Sequence, residues 1–220
     1  MTLIIMAEGL DLSMGAVLGL SGIVLAMALV AGYPIIVGLL GALLVGLVFG
    51  VANGLLVTAL DIPPFVVTLG TLGVAQGAAL VVTDGQSVVG IGLGLSTLYS
   101  STWGGIPFSV VVAAVAYFAF HFILYYTRFG IYVFAIGGNR EALLLAGVPA
   151  RLYQVSIYAL GGVMAGFGAL LLTGRMNSGH PTAAIGMEFD AIAAVIVGGT
   201  RFERGDGWLQ GTVLGVLAVG

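Results

Sequence analysis

No basic residue precedes Arg128, and the first 127 positions hold only four acidic ones, Glu8, Asp11, Asp61 and Asp84. Chain this poor in charge cannot face water on most of its surface. Charged residues make up 7% of the 220 positions and hydrophobic ones 60%, against about 25% charged in an average soluble domain. These values exclude a soluble enzyme, a nucleic-acid binder and a disordered tail. They leave a membrane protein that crosses the bilayer several times.

The uncharged runs have the length of membrane spans. A helix needs roughly 20 apolar residues to cross the hydrocarbon core. Leu12–Gly32 supplies the first span and Tyr33-Pro34 ends it. Pro34–Leu60 is the second and is stopped by Asp61-Ile62-Pro63-Pro64, since prolines remove donors and restrict the preceding residue. Phe65–Thr83, Ile106–Tyr126 and Leu152–Thr173 are three more. Asp84–Gly105, rich in Gly and Ser, reads as a loop or a partly inserted segment. Phe189–Thr200 is apolar for only 12 residues, about 18 Å of helix. It is either a half-helix of the kind that lines transporter binding sites or a helix lengthened by Glu188 and the preceding loop. Trp208–Gly220 begins another helix. The expected fold class is all-α, a polytopic transmembrane helix bundle with broken or short helices and about seven membrane segments. The polar Met1–Gly9 and the apolar run at Gly220 suggest truncation at both ends of a single domain over 1–220.

Arginine placement orients the bundle. Arg128, Arg140 and Arg151 fall in one loop, 127–151, which the positive-inside rule puts in the cytoplasm. Counting spans then puts Asp61–Pro64 and Arg201–Gly207 inside, the latter consistent with Arg201 and Arg204. Tyr33, Asp84–Gly105 and Arg175–Glu188 fall outside. No positive stretch at the N-terminus suggests a signal peptide.

Glycine is 37 of 220 residues, well above the usual ~7%, without the period of collagen. Gly46, Gly50 and Gly54, then Gly73 and Gly77, Gly162 and Gly166, and Gly207, Gly211 and Gly215 recur at intervals of four. That spacing keeps small residues on one helix face, where backbones approach closely. Packing within the chain is the expectation, with a dimer interface as the alternative.

Polar residues inside apolar spans need partners or water. Asn53 and Gln76 suit helix–helix hydrogen bonds or a substrate pathway. Thr68 and Thr71 suit bonds to their own helix, with Thr68 also a pathway candidate. His121 reads as packing. Asn177, His180, Glu188 and Asp190 are placed at the outer mouth, where either a solvated loop or a surface for a neutral polyhydroxylated solute explains them. The candidate substrate pathway is therefore Asn53, Thr68, Gln76, Asn177, Glu188 and Asp190. No catalytic set and no cofactor site emerges. Cysteine is absent, and the two histidines are 59 positions apart, so no metal cluster is expected. No Walker A sequence occurs. Gly90-Ile91-Gly92-Leu93-Gly94 lacks dinucleotide-binding spacing, and no chain of intramembrane carboxylates provides for proton coupling.

In the arginine-bearing loop, Asn139 is placed to cap a short helix from Arg140 to about Ala146 that ends at Gly147. A capped helix between two spans offers a rigid knob to a soluble partner.

The sequence also carries an ordered set of longer motifs. Gly9-Leu10-Asp11-Leu12-Ser13-Met14-Gly15 comes first. Asn53–Thr58 (Asn-Gly-Leu-Leu-Val-Thr) and Ile62–Thr71 (Ile-Pro-Pro-Phe-Val-Val-Thr-Leu-Gly-Thr) follow, then Thr127–Gly130, Ala135–Ala142 and Pro181–Thr200. This set resembles the permease subunits of bacterial ABC importers for monosaccharides, of the ribose, xylose, arabinose and galactose type, in the branched-chain amino acid/sugar permease superfamily. The resemblance covers nearly the whole chain. It implies a multi-pass permease in the bacterial inner membrane, without its own ATPase site, and a second permease chain in a homodimer. It implies an ABC ATPase subunit docked on the cytoplasmic side and a periplasmic or lipid-anchored sugar-binding protein outside. Membrane lipid surrounds such a chain, and nucleic acid is no partner. The coupling segment would be Gly137, Gly138, Asn139, Arg140, Glu141, Ala142 and onward to Gly147. Two departures stand out: Glu8 replaces the usual glycine before Gly9, and Arg201–Asp206 is more charged than the Ser/Gly-rich stretch common there. Alternatives are a permease of the same superfamily for amino acids, nucleosides or a signalling furanose, or an ATP-independent carrier.

Overall fold

The structure, a computed structural model, describes residues 1–202 and 205–220. Arg204, counted above among the inner-side charges, lies outside the described residues. Four of the six prolines mark the starts of the long apolar helices. Pro34, Pro63, Pro107 and Pro149 stand at the N-caps of the four longest apolar helices: α3 (Ile35–Ala59), α4 (Pro64–Val82), α6 (Phe108–Tyr126) and α8 (Ala150–Met176). Proline has no N–H to waste there, and its fixed φ admits the chain to the helix. All four are long and apolar enough to cross a membrane, and the chain is a multi-pass membrane protein. Shorter elements complete the bundle: α1 (Thr2–Met6), α2 (Met14–Val30), α5 (Gly94–Ser100), α7 (Arg128–Leu145), α9 (Met187–Val197) and α10 (Leu209–Val219). A two-residue hairpin, β1 (Thr102–Trp103) with β2 (Ile106–Pro107), sits before α6.

Helix α3 packs antiparallel on α8, backbone against backbone. A side chain at Gly46 or Gly50 would strike the carbonyl of Gly162 or Tyr158. One at Gly54 would meet Val155 Cα, and one at Gly166 would meet Ala42. The glycines on α10 act alike, Gly211 against Gly198 and Gly215 against Ala194 of α9. These ladders pack within the chain. The α4 ladder does not, since nothing lies within 4 Å of the Cβ positions of Gly70, Gly73 and Gly77.

The expected loop over 127–151 is corrected. Residues 128–145 are helical, in two arms that meet at Asn139 (φ −159°, ψ 86°). The first arm is docked into the bundle, with Val133, Ile136 and Gly137 buried. Its glycines admit close contacts, Gly130 on Leu124 and Gly137 on the Met6 carbonyl and Gly205. The second arm is the helix expected from the cap. Ala142 N–H donates to Asn139 Oδ1 at 2.9 Å, and the chain turns away at Gly147 (φ +74°).

Candidate functional site

Two features concentrate polar chemistry. The first is a break in the helices deep in the bundle. The second is the exposed arm of α7.

The break begins at the end of α1, whose five residues are all buried. Glu8 takes a left-handed φ of 59°, and Gly9 N–H closes back on Ile4 O at 2.8 Å. The chain then restarts as α2. Asp11 caps the restart: its Oδ1 accepts from Ser13 N–H at 2.8 Å and from Ser13 Oγ–H at 2.6 Å. Asn53 of α3 donates from Nδ2 to Ser13 Oγ at 2.9 Å. Asp11 is 2% exposed and Asn53 1%. Thr68 reaches the same break from α4, donating to Leu10 O at 3.3 Å and to Pro64 O at 2.9 Å.

The segment after α8 enters this region from the opposite side of the membrane. Asn177 ends α8 in a left-handed conformation (φ 51°) and is exposed. From Ser178 the chain turns inward along α2. Gly179 packs on Gly22, Ile23 and Ala26. The carbonyls of His180 and Pro181 lie over Gly19, and Ala184 O and the Glu188 carboxylate lie on Gly15. From residue 26 to residue 15 a helix advances about 16 Å, roughly half the hydrocarbon core. Residues 178–186 therefore form a re-entrant, non-helical segment. Such backbone is tolerated at depth only when protein or a cavity satisfies it. Here Val88 and Gly179 exchange backbone bonds at 2.8 and 2.9 Å, Ser87 Oγ and His180 Nδ1 lie 2.6 Å apart, and Gln76 Nε2 donates to Pro181 O at 2.9 Å.

Helix α9 starts from the bottom of this segment. It runs for 11 residues, taking in Glu188 but not the preceding loop, which stays non-helical. Gly186 supplies the left-handed N-cap (φ 95°), and its N–H donates to Glu188 Oε1 at 3.2 Å. Glu188 is 3% exposed, and its Oε2 has no partner in the protein. Asn53 Oδ1 is likewise buried and unpartnered. Asn177, Glu188 and Asp190 do not gather in one cluster: Asn177 is exposed at the end of α8, Glu188 is buried against Gly15 of α2, and Asp190 is exposed on α9. The polar side chains Asn53, Thr68 and Gln76 all make helix-to-loop bonds inside the protein. Asp11, Ser13 and Gly15 belong to this site and were absent from the predicted pathway. Their signal was the Gly-Leu-Asp-Leu-Ser-Met-Gly run itself, a carboxylate two residues before a capping serine.

The exposed arm lies on the arginine-bearing side of the bundle. Gly138, Asn139, Glu141, Ala142 and Gly147 are exposed, and Arg140 is half-buried. Leu144 and Leu145 stand out from it, Leu145 at 90% exposure. Gly137 is the member of the predicted segment that faces inward, on the docked arm.

Comparison with known proteins follows this geometry. Residues 1–220 match the family described as branched-chain amino acid transport system / permease component. The ribose import permease protein of Bacillus subtilis (strain 168) is 38% identical over 222 residues, spanning 100% of this chain and 69% of the relative. The D-allose transport system permease protein of Escherichia coli (strain K12) is 34% identical, over 98% of this chain and 67% of the relative. The L-arabinose ABC transporter permease protein of Azospirillum brasilense is 32% identical, over 96% and 62%. No solved structure matches the chain significantly. A broken, glycine-packed bundle whose whole length aligns with about two thirds of each of these relatives belongs to the branched-chain amino acid transport system / permease component family.

Proposed function

We propose that the chain is the permease subunit of an ABC importer that moves a monosaccharide into the cytoplasm. The observation that carries this reading is the full-length similarity to permeases named for ribose, allose and arabinose. Energy enters from separate ATPase subunits, and the chain hydrolyses no ATP itself. The capped arm, Asn139 to Gly147 with Gly137 and Gly138 leading into it, is the docking point for the ATPase. Its exposed Leu144 and Leu145, between a cap and a glycine stop, give that point a rigid apolar tip. Loop 127–151 is then cytoplasmic, in the inner membrane of a bacterium. A sugar-binding protein, periplasmic or lipid-anchored, delivers cargo on the other face. A second permease chain completes the pathway in a homodimer, and lipid covers the remaining apolar surface.

In this reading the break around Asn53, Thr68 and Glu188 borders the route of the sugar. The re-entrant segment anchored by Gln76 forms its wall, with Asn177 and Asp190 towards its ends. The buried acceptors Asn53 Oδ1 and Glu188 Oε2 suit a neutral solute rich in hydroxyl donors.

Co-purification of the full-length, tagged protein, followed by mass spectrometry, tests the reading. A stoichiometric partner with a Walker A sequence is expected. A homo-oligomer without an ATPase, from a preparation that still transports, would overturn it. The amino-acid wording of the family description favours a second cargo class, and competition uptake decides between the two. Excess pentose or hexose should abolish uptake, while excess leucine should leave it unchanged.

A further inference from the structure

A cavity of about 190 Å³ lies where the exposed arm of α7 meets the bundle. Four elements line it: the α1–α2 break, the α3–α4 turn, the second arm of α7 and the first turns of α8. Glu8, Asp61, Arg140 and Gln154 supply its polar lining. It has room for about six waters at 30 Å³ each. Arg140 Nε and Gln154 Oε1 are both buried and have no partner in the protein.

An arginine stays charged at any working pH, and a partly buried guanidinium needs a counter-charge. Two carboxylates line the cavity. Asp61 is already held by Arg151, with NH2 to Oδ2 at 3.9 Å, on the exposed side. Glu8 has no such partner: among the described residues the Arg151–Asp61 pair is the only salt bridge within 4.0 Å. Arg140 and Glu8 therefore line one cleft without touching. The backbone bonds Glu8 N–H to Ile5 O and Gly9 N–H to Ile4 O fix where Glu8 stands. Three residues further on, Asp11 caps α2.

We propose that Arg140 and Glu8 form a positioning pair that carries movement of the exposed arm to the broken helix. Displacing the arm towards the bundle closes the cavity and brings the two charges together. Glu8 then moves with Arg140, and the Asp11–Ser13 cap, with Gly15 and the Glu188 carboxylate beside it, moves in turn. The proposal rests on the reading of the arm as the ATPase docking point.

The test uses the full-length importer with its ATPase and binding protein in proteoliposomes. Arg140→Glu is expected to cut uptake roughly tenfold, because like charges then oppose closure. The reversed pair, Glu8→Arg with Arg140→Glu, is expected to restore uptake to within about threefold of the unmodified protein. Uptake unchanged in Arg140→Glu, or a reversed pair no better than the single variant, overturns the proposal. The cysteine-free chain provides a second readout if Arg140→Glu fails to insert. Glu8→Cys with Arg140→Cys, bridged by a short thiol cross-linker, should stop uptake reversibly. No cross-link, or a cross-link without effect on uptake, counts against the pair. The underlying reading fails separately: transport that survives Gly-Ser replacement of residues 139–142 removes the docking point itself.

Discussion

At the scale of the residue, the break in the helices depends on one carboxylate. Asp11 satisfies both the N–H and the hydroxyl of Ser13, and Ser13 in turn receives Asn53. Removing the acceptor leaves buried donors unsatisfied, at a cost of about 1–3 kcal/mol. Asp11→Ala is therefore expected to lower the melting temperature of the detergent-solubilised protein clearly. Asp11→Asn, whose carbonyl still accepts the Ser13 N–H, should lose less than half as much. Equal losses would mean that the charge, rather than the acceptor, holds α2 in place. Much at this scale was legible in sequence. The Asn139 cap and the Gly147 stop follow from side-chain chemistry within nine residues, and the structure has both. The depth of Glu188 was not legible. It is set by Gln76, Ser87 and Gly15, all more than 90 positions away, and no local pattern records such contacts.

At the scale of the element, glycine spacing has two different meanings in one chain. On α3 and α8 the ladders bring two backbones into contact. On α4 the same spacing faces open space. Gly162→Ala should destabilise the chain by about 1–3 kcal/mol through overpacking, whereas Gly77→Ala should stay within about 0.5 kcal/mol. Thermal unfolding in detergent measures both. A loss for Gly77→Ala comparable to that for Gly162→Ala would show that α4 is covered by another chain. Element boundaries were readable because prolines and charges interrupt the apolar runs: α2, α3, α4 and α6 all begin and end within two residues of the expected spans. The first arm of α7 was missed for a physical reason. Gly130, Gly137 and Gly138 lower its intrinsic helix propensity, and the helix forms because Gly130 and Gly137 fit closely against Leu124 and Met6.

At the scale of the whole molecule, the packing agrees with the topology implied by arginine placement. α2 and α8 run parallel, both antiparallel to α3, as three alternating crossings require. The Arg151–Asp61 pair puts the α3–α4 turn and the start of α8 on one side, and the Val88–Gly179 bridge ties the two loops of the other. A single cysteine in place of Glu141 should react with an impermeant maleimide only from the cytoplasmic side. One in place of the exposed Leu93 should react only from the outside. Labelling of both from one face would invert the orientation or break the span count. The aromatic residues fit the same frame. Tyr125, Phe129, Tyr132 and Tyr153 gather at the arginine-bearing end, where amphipathic rings favour the interface.

The shortness of α9 bears on how the protein is made. A helix of 11 residues is about 16 Å long and offers the insertion machinery too little apolar length to be released into lipid alone. Its starting point is reached through a segment that packs along α2 and takes bonds from Gln76 of α4 and from Val88 in the loop beyond it. Residues 178–197 must therefore enter the bilayer by folding against helices synthesised before them, with α2 as the template. A lesion at Gly15 or Gln76 would then appear first as a failure of late membrane integration, before any defect in transport could be measured.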